Sequence, residues 1–461
     1  MAKKPVPAAP KAPAQPNRPP YMLIEEIRVQ GYKSLVDATL HVRPLTLLAG
    51  TNSSGKSSIM QPLLLIKQTM EAPYQPAGAL VLDGAHVQAE TAGELVSKGL
   101  EYAEKEFIFS VNGTSEFDGK KFSTQGDYAY SLNGMSFSIA YQQVALHRDS
   151  NQKLKITPAS TWTSIHSQLH EVDKARFPLS KTSAKITVAN AFLDVQVLDG
   201  NGTQIRLFST AYGLRETLYG MFHIPGLRGA PQRSYPATGI QLQNRIKGTF
   251  DLYTAGTISQ WQQQLNIAAI NLVNNCLYRL GLTDAVVATV KTADKIELSV
   301  SRLPAGSKGK PRKADMVNIA DVGIGVSQVL PILVALIAAQ KGQIVYVEQP
   351  ELHLHPRAQV VMAELLAEAA NRGVRVIVET HSSLLLLTVQ TLIAQERIKN
   401  TDVALHWFAR DAKGATQVTY VQPDEDGAYG EWPEDFGDVE LKAQDAYLTA
   451  VGLRHFGKAA G

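Results

Sequence analysis

Gly50, Thr51, Asn52, Ser53, Ser54, Gly55, Lys56 and Ser57, followed by Ser58, carry the chemistry needed to hold a polyphosphate. Glycines let the backbone turn its N–H groups inward around a β-phosphate, Lys56 neutralises the β/γ charge, and Ser57 offers a hydroxyl to Mg2+. The apolar run Leu45 to Ala49 predicts a strand entering this loop, and Ile59 to Ile66 predicts a helix leaving it. Strand, glycine-bounded loop and helix are the context in which such a loop works. A helix starting near Lys56 adds the positive end of its dipole. The plain alternative is a Gly/Ser turn that binds nothing, and three further segments in the right order downstream argue against it.

The first is Asp321 to Gln328, in which Gly325, Ser327 and Gln328 precede the apolar helical run Val329 to Leu336. Free N–H groups, a hydroxyl and a helix dipole together make an anion cap, and in a chain that already has a phosphate loop it invites a partner's γ-phosphate. In the second, Gln343 to Pro356, an apolar strand ends in Glu348, the arrangement in which a carboxylate holds Mg2+ through water. The next residue usually activates the attacking water, and here it is Gln349, a neutral amide that accepts no proton. Hydrolysis is then expected to be slow, or assisted by Glu351 or His381. His353 and His355 lack the further ligands a metal pair needs. The third segment, Gly373 to Ser383, predicts a buried parallel strand that delivers His381 at its carboxyl end as a γ-phosphate sensor.

The elements that must position these groups belong to a chain of 461 residues, 44% of them apolar, which can bury a sizeable core and excludes disorder of the whole. Net charge is +3, and residues 1–20 hold Lys3, Lys4, Lys11 and Arg18 without an acid, so the remainder is close to neutral. That excludes a globally basic nucleic-acid binder and leaves local patches. Seven prolines in residues 1–20 predict a disordered, extended tail. The single cysteine, Cys276, reads as a buried small hydrophobe and excludes a disulfide framework within one chain. No apolar run approaches the ~18 residues of a membrane span, and no secretory h-region is present, so a cytoplasmic protein is expected.

Residues 22–42 predict short antiparallel strands with Lys33 and Ser34 on a turn that reads first as solvated, reach toward the nucleotide being the other reading. Residues 101–150 read as a β-rich flap, 151–185 have no clear pattern, and His223 to Arg233 form a Gly/Pro loop with two arginines. Thr257 to Leu282 has helical spacing without sustained heptads. Val286 to Val290 and Ile296 to Val300 predict strands, and the loop after them places four cations within Lys308 to Lys313, more often a solvated turn than a phosphate-backbone contact.

With these motifs in hand the chain resembles the ABC-type ATPase heads of SMC proteins, RecF and the OLD nucleases, over roughly 22–98 and 315–410. The resemblance implies an α/β P-loop NTPase of the ABC/SMC head type with a mixed α+β insertion. It makes Gly50 to Ser58 the Walker A loop, Gly323 to Gln328 the signature, Glu348 the Walker B acid and His381 the switch histidine, with ATP and Mg2+ as cofactors. The expected divisions are 1–20 tail, 21–98 N-lobe, 99–314 flap and helical insertion, 315–410 C-lobe and 411–461 a small extension. The Pro225 to Pro231 loop, the Glu348 to Pro356 run and Glu431 to Phe436 resemble a bacterial subgroup related to PtuA-like ATPases, often found in anti-phage defence operons. The implied function is a slow ATPase that dimerises, or forms a higher homo-oligomer, with nucleotide, and that senses DNA or RNA or controls a separately encoded effector, a nuclease or toxin, without a membrane. The alternatives are an ABC transporter subunit, an SMC/RecF-like DNA-repair ATPase and, disfavoured by the signature helix, a P-loop kinase. Two departures from the family stand out: the signature is not Leu-Ser-Gly-Gly-Gln, and the second Walker B acid is Gln349.

Overall fold

The computed structural model describes residues 22–74, 78–99, 105–117, 120–146, 149–209, 211–237, 246–303, 313–430 and 445–449. The Pro-rich tail, the cationic loop up to Arg312 and the Glu431 to Phe436 run lie outside them.

Alternating burial builds the first hairpin, β1 (Met22–Tyr32) with β2 (Leu35–His41), turning at Lys33 with φ 50°. β3 (Leu45–Gly50) is buried at every position, as a central parallel strand must be. Past the phosphate loop the chain makes a single 3-10 turn, Ser57–Ile59, before α1 (Gln61–Glu71). The helix thus begins later than Lys56, because Pro62 has no N–H for the carbonyl four residues back and is tolerated only in a first turn.

β4 (Glu106–Phe117), β5 (Lys120–Asn133), β6 (Ser136–Leu146) and β7 (Asp149–Ile156) follow as hairpins. Where the sequence reads as a flap, β4 pairs with β1 from Met22↔Ser115 to Gln30↔Ile108, so one antiparallel sheet runs β2-β1-β4-β5-β6-β7. The unpatterned stretch holds two short helices, α2 (Trp162–Ser167) and α3 (Glu171–Arg176). After it come a meander of β8 (Thr182–Ala189), β9 (Phe192–Asp199) and β10 (Gln204–Ser209), then α4 (Tyr212–Gly220), β11 (Phe222–Ile224) and β12 (Tyr235–Pro236).

The helical span divides into α5 (Thr254–Gln263) and α6 (Ile267–Arg279), broken where Leu265 takes φ 54° and Asn266 caps the second helix through Ala269 N. The two strand-like runs form the hairpin β13 (Val286–Thr292) and β14 (Lys295–Ser301), to which β12 and β15 (Met316–Asn318) add.

The last third alternates helix and strand: α7 (Ile324–Ala338), β16 (Ile344–Glu348), α8 (Pro356–Asn371), β17 (Arg375–Thr380), α9 (Ser383–Ala394), β18 (Val403–Arg410) and β19 (Thr416–Val421). Its strands enclose β3 in a sheet of order β11-β16-β17-β3-β18-β19, parallel except for the final hairpin. Leu45, Leu47 and Ala49 face a core shared with α5 to α9, whereas Leu48 joins Tyr346, Ile377 and Phe408 in a second core against α1 and the antiparallel sheet. This is the α/β fold of a P-loop NTPase, with the carboxyl ends of its parallel strands gathered at the phosphate loop.

Candidate functional site

Two glycines shape the loop. Gly50 has φ +145°, and a Cβ there would lie 2.1 Å from the Phe408 carbonyl oxygen; at Gly55, φ +98°, it would lie 2.5 Å from Thr416 Oγ1. No other residue fits either position. The β18–β19 hairpin also braces the loop, because Thr416 Oγ1 donates to the Ser54 carbonyl at 2.8 Å and Thr416 N donates to the Ser34 carbonyl at 2.8 Å. Lys56 is 3% exposed, and its Nζ donates to the carbonyls of Gly50 (3.0 Å) and Thr51 (2.7 Å). Burial lowers its pKa, with the charges of Glu379 and Glu351 opposing that shift.

Around the loop opens a pocket lined by Asn52 to Ser58 and by Lys33, Ser34, Gln61, Gln349, Glu379, His381 and Arg410. The turn residues Lys33 and Ser34 therefore face the pocket. Glu379 and Arg410 were not singled out in the sequence.

Each strand-end residue has a distinct place. Gln349 adopts φ 44°, an uncommon left-handed conformation for a non-glycine, held by its N–H to the Glu379 carbonyl at 2.8 Å. Glu351 does not line the pocket: its Oε1 accepts from His381 N at 2.7 Å, and its Oε2 is buried without a partner. Burial raises its pKa. The His381 ring bonds the Gly50 backbone, and burial together with the Lys56 charge lowers its pKa, favouring a neutral ring. Glu348 turns the other way, its Oε1 3.2 Å from His223 Nε2 and its Oε2 accepting from Gly226 N at 3.0 Å. Burial pushes its pKa up, but the His223 and Gly226 contacts outweigh this and leave it below the ordinary range. His355 caps α8 through Arg357 N, and among the described residues no group of three His, Cys, Asp or Glu could hold a metal. The Ser57 hydroxyl and the Glu379 carboxylate are hard oxygen donors on the pocket wall, of the kind that suits Mg2+ completed by phosphate and water.

The signature residues lie elsewhere. Ser327 is half-buried at the start of α7 and borders a different pocket, sharing no lining residue with the first. Pro331, inside the helix, leaves the Ser327 carbonyl without its usual donor. Gly325 packs against the His353 carbonyl and Leu282. Gln328 is 2% exposed, accepting from Arg228 Nε at 3.3 Å and donating to the Arg228 and Gly229 carbonyls. The Arg228 guanidinium donates in turn to the carbonyls of Glu348 (3.4 Å) and Gln349 (3.2 Å), so the loop after β11 ties the signature helix to the strand end. Burial lowers the Arg228 pKa to about 10.

A buried polar column reaches Glu348 from behind. Lys67 Nζ lies 2.8 Å from Glu71 Oε1, Glu71 Oε2 lies 3.2 Å from His86 Nε2, and His86 Nδ1 lies 2.9 Å from His223 Nδ1. Burial pushes His86 down to about 4, so its ring is neutral, while Glu71 stays below the ordinary range despite burial, through His86 and Lys67. Donor directions follow. His86 Nε2–H donates to the Glu71 carboxylate, and its Nδ1 accepts from His223 Nδ1–H.

Two family models match the chain: "AAA ATPase domain" over residues 22–190, and "AAA domain, putative AbiEii toxin, Type IV TA system" over 277–387. The chain carries AAA-type ATPase domain sequence over these two segments. The first match spans the antiparallel sheet with the phosphate loop; the second spans the signature helix, Glu348 and His381. Among solved structures, the SmcHead bound to the C-winged helix domain of ScpA is 11% identical, with TM-score 0.47, over 87% of this chain and 98% of that one. The SMC head domain from Thermotoga maritima is 12% identical, with TM-score 0.38, over 86% and 98%. The Smc head domain with an extended coiled coil bound to the C-terminal domain of ScpA, derived from Pyrococcus furiosus, is 11% identical, with TM-score 0.45, over 94% and 99%. A search of curated proteins finds no match. No helix among the described residues of this AAA ATPase is long and apolar enough to cross a membrane.

Proposed function

We propose that this ATPase binds ATP with Mg2+ at Gly50 to Ser58, hydrolyses it slowly, and uses the bound nucleotide to join two copies into a switch. The switch controls a separately encoded effector, a nuclease or toxin, or senses nucleic acid, in anti-phage defence. One observation carries the reading: the phosphate-loop pocket and the pocket beside Ser327 share no residue, so a nucleotide held by Lys56 is not capped by the same chain's signature serine. A second copy placed head to tail supplies that serine, with ATP providing much of the complementary charge. The defence setting is supported by the toxin–antitoxin wording of the matched family, which describes that family.

Mg2+ supplies charge neutralisation at the β- and γ-phosphates. The chain's own groups do the rest. Lys56 binds the phosphates, the neutral His381 ring stands at the Gly50 end of the pocket, and Gln349 orients water without taking its proton. Gln349→Glu therefore raises turnover, by up to the ~100- to 10,000-fold typical of a positioned base. Steady-state phosphate release measures it, and an unchanged rate means that product release or another carboxylate limits the cycle.

Ser327→Arg tests the switch itself. Its ATP affinity by calorimetry matches the wild type, while ATP-dependent association in light scattering is lost. A wild-type protein that stays monomeric with and without ATP refutes the switch; assembly that ignores nucleotide assigns the oligomer to another surface.

A further inference from the structure

The strand-end acid read from the sequence as the metal ligand is not the one that faces the phosphate loop. β17 lies directly beside β3, whereas β16 is one strand further, each step being about 4.8 Å. In register, Glu348 pairs with Glu379, and Glu379 pairs with Leu48, two residues before Gly50. Glu379 lines the phosphate-loop pocket and hydrogen-bonds the Ser57 side chain; Glu348 does not line it. Both Glu348 oxygens are engaged, by His223 Nε2 and Gly226 N, with the Tyr346 hydroxyl between Glu348 and Glu379, and His223 is 2% exposed and stacked on Tyr346 with ring centroids 5.2 Å apart. The Tyr346 hydroxyl donates to Glu379 Oε2 at 3.3 Å, leaving the other oxygen for the pocket.

We infer that Glu379 is the carboxylate that meets the nucleotide's Mg2+, from the strand beside the phosphate loop, and that His223 and Gly226 hold Glu348 back from it. A bound Mg2+ would be held by the Ser57 hydroxyl and the Glu379 carboxylate, two oxygen donors that the structure already brings within hydrogen-bond reach of each other. An acid directly after the apolar run Val376 to Val378 then has a chemical use that offsets its desolvation. His223 is a positioning residue. It touches neither phosphate nor metal, and through His86 and Glu71 it is anchored to the end of α1, so the phosphate-loop helix and Glu348 are aligned by one rigid column.

The inference rests on ATP binding at Lys56, and the experiment separates the two. ATP affinity is measured by calorimetry with Mg2+ and with EDTA, for the wild type, Glu379→Gln and Glu348→Gln. Mg2+ tightens wild-type binding. Glu379→Gln keeps the EDTA affinity and loses at least the ~10- to 100-fold metal effect known for removing a residue one shell further out, and Glu348→Gln loses less. Glu379→Asp, which keeps the charge one methylene back, shifts preference from Mg2+ toward the larger Mn2+. A Mg2+ effect that survives in Glu379→Gln, or that Glu348→Gln removes equally or more completely, overturns the inference while ATP binding stands. A wild type that binds no ATP under either condition overturns both.

Discussion

Lys56→Ala removes nucleotide binding: ATP affinity falls by at least about 100-fold, on the scale of the ~3 kcal/mol of a charge-assisted contact to phosphate. The protein folds nonetheless. In the structure the ammonium is satisfied by the Gly50 and Thr51 carbonyls beside a pocket open to the surface, from which water can replace it. Calorimetry on the variant, alongside an unchanged melting temperature, checks both halves. An affinity equal to the wild type's removes the phosphate-loop assignment.

Lys67→Ala has the opposite character, costing stability before it touches chemistry. Lys67 is fully buried, paired with Glu71 and donating to the carbonyls of Leu218 (3.0 Å) and Ile246 (3.2 Å), so it stitches α1 to the chain on either side of β11. Removing it strands a buried carboxylate and two carbonyls, at about 3–5 kcal/mol. Denaturant unfolding should show that loss. The double change Lys67→Met with Glu71→Gln recovers part of it, since neutral groups need no counter-charge; no recovery would mean that the carbonyl contacts, not the ion pair, carry the effect. Because the folded pKa of Glu71 is depressed, its contribution is present above the ordinary carboxylate range and is lost as pH falls through the lower folded value.

The parts of this site that were legible in the sequence are those whose chemistry is local. Gly50 to Ser58 announces itself by spacing alone, and β16 and β17 announce themselves as uninterrupted apolar runs ending in polar groups. The column was not legible as a unit, because α1, the loop at His86 and β11 meet only in three dimensions. A trace of it was there: Lys67 follows four apolar residues and has an acid four positions on, the spacing of a helical ion pair. Glu379 stood in plain view inside an apolar strand and was read as part of the strand, although an acid in such a place asks for a use. Arg410 and Thr416 gave no local signal, since only the return of β18 alongside β3 brings them to the loop. The β-rich residues 105–156 showed their strands but not their partner, because pairing with β1 depends on register across distant segments.

That return of the chain dictates when during synthesis the phosphate loop can exist. The strand carrying it, residues 45–50, finds its two neighbours only at 376–380 and 403–408, so a ribosome must pass residue 408 before Gly50 meets the Phe408 backbone. The antiparallel hairpins up to Ile156 depend mostly on nearby partners and can form while translation continues at roughly 5–20 residues per second. A nascent or truncated chain therefore exposes an incomplete sheet edge beside Leu45 to Ala49 and has no formed nucleotide site. Competence to engage ATP arrives in one late event, and an interrupted message yields a polypeptide that cannot enter the cycle at all.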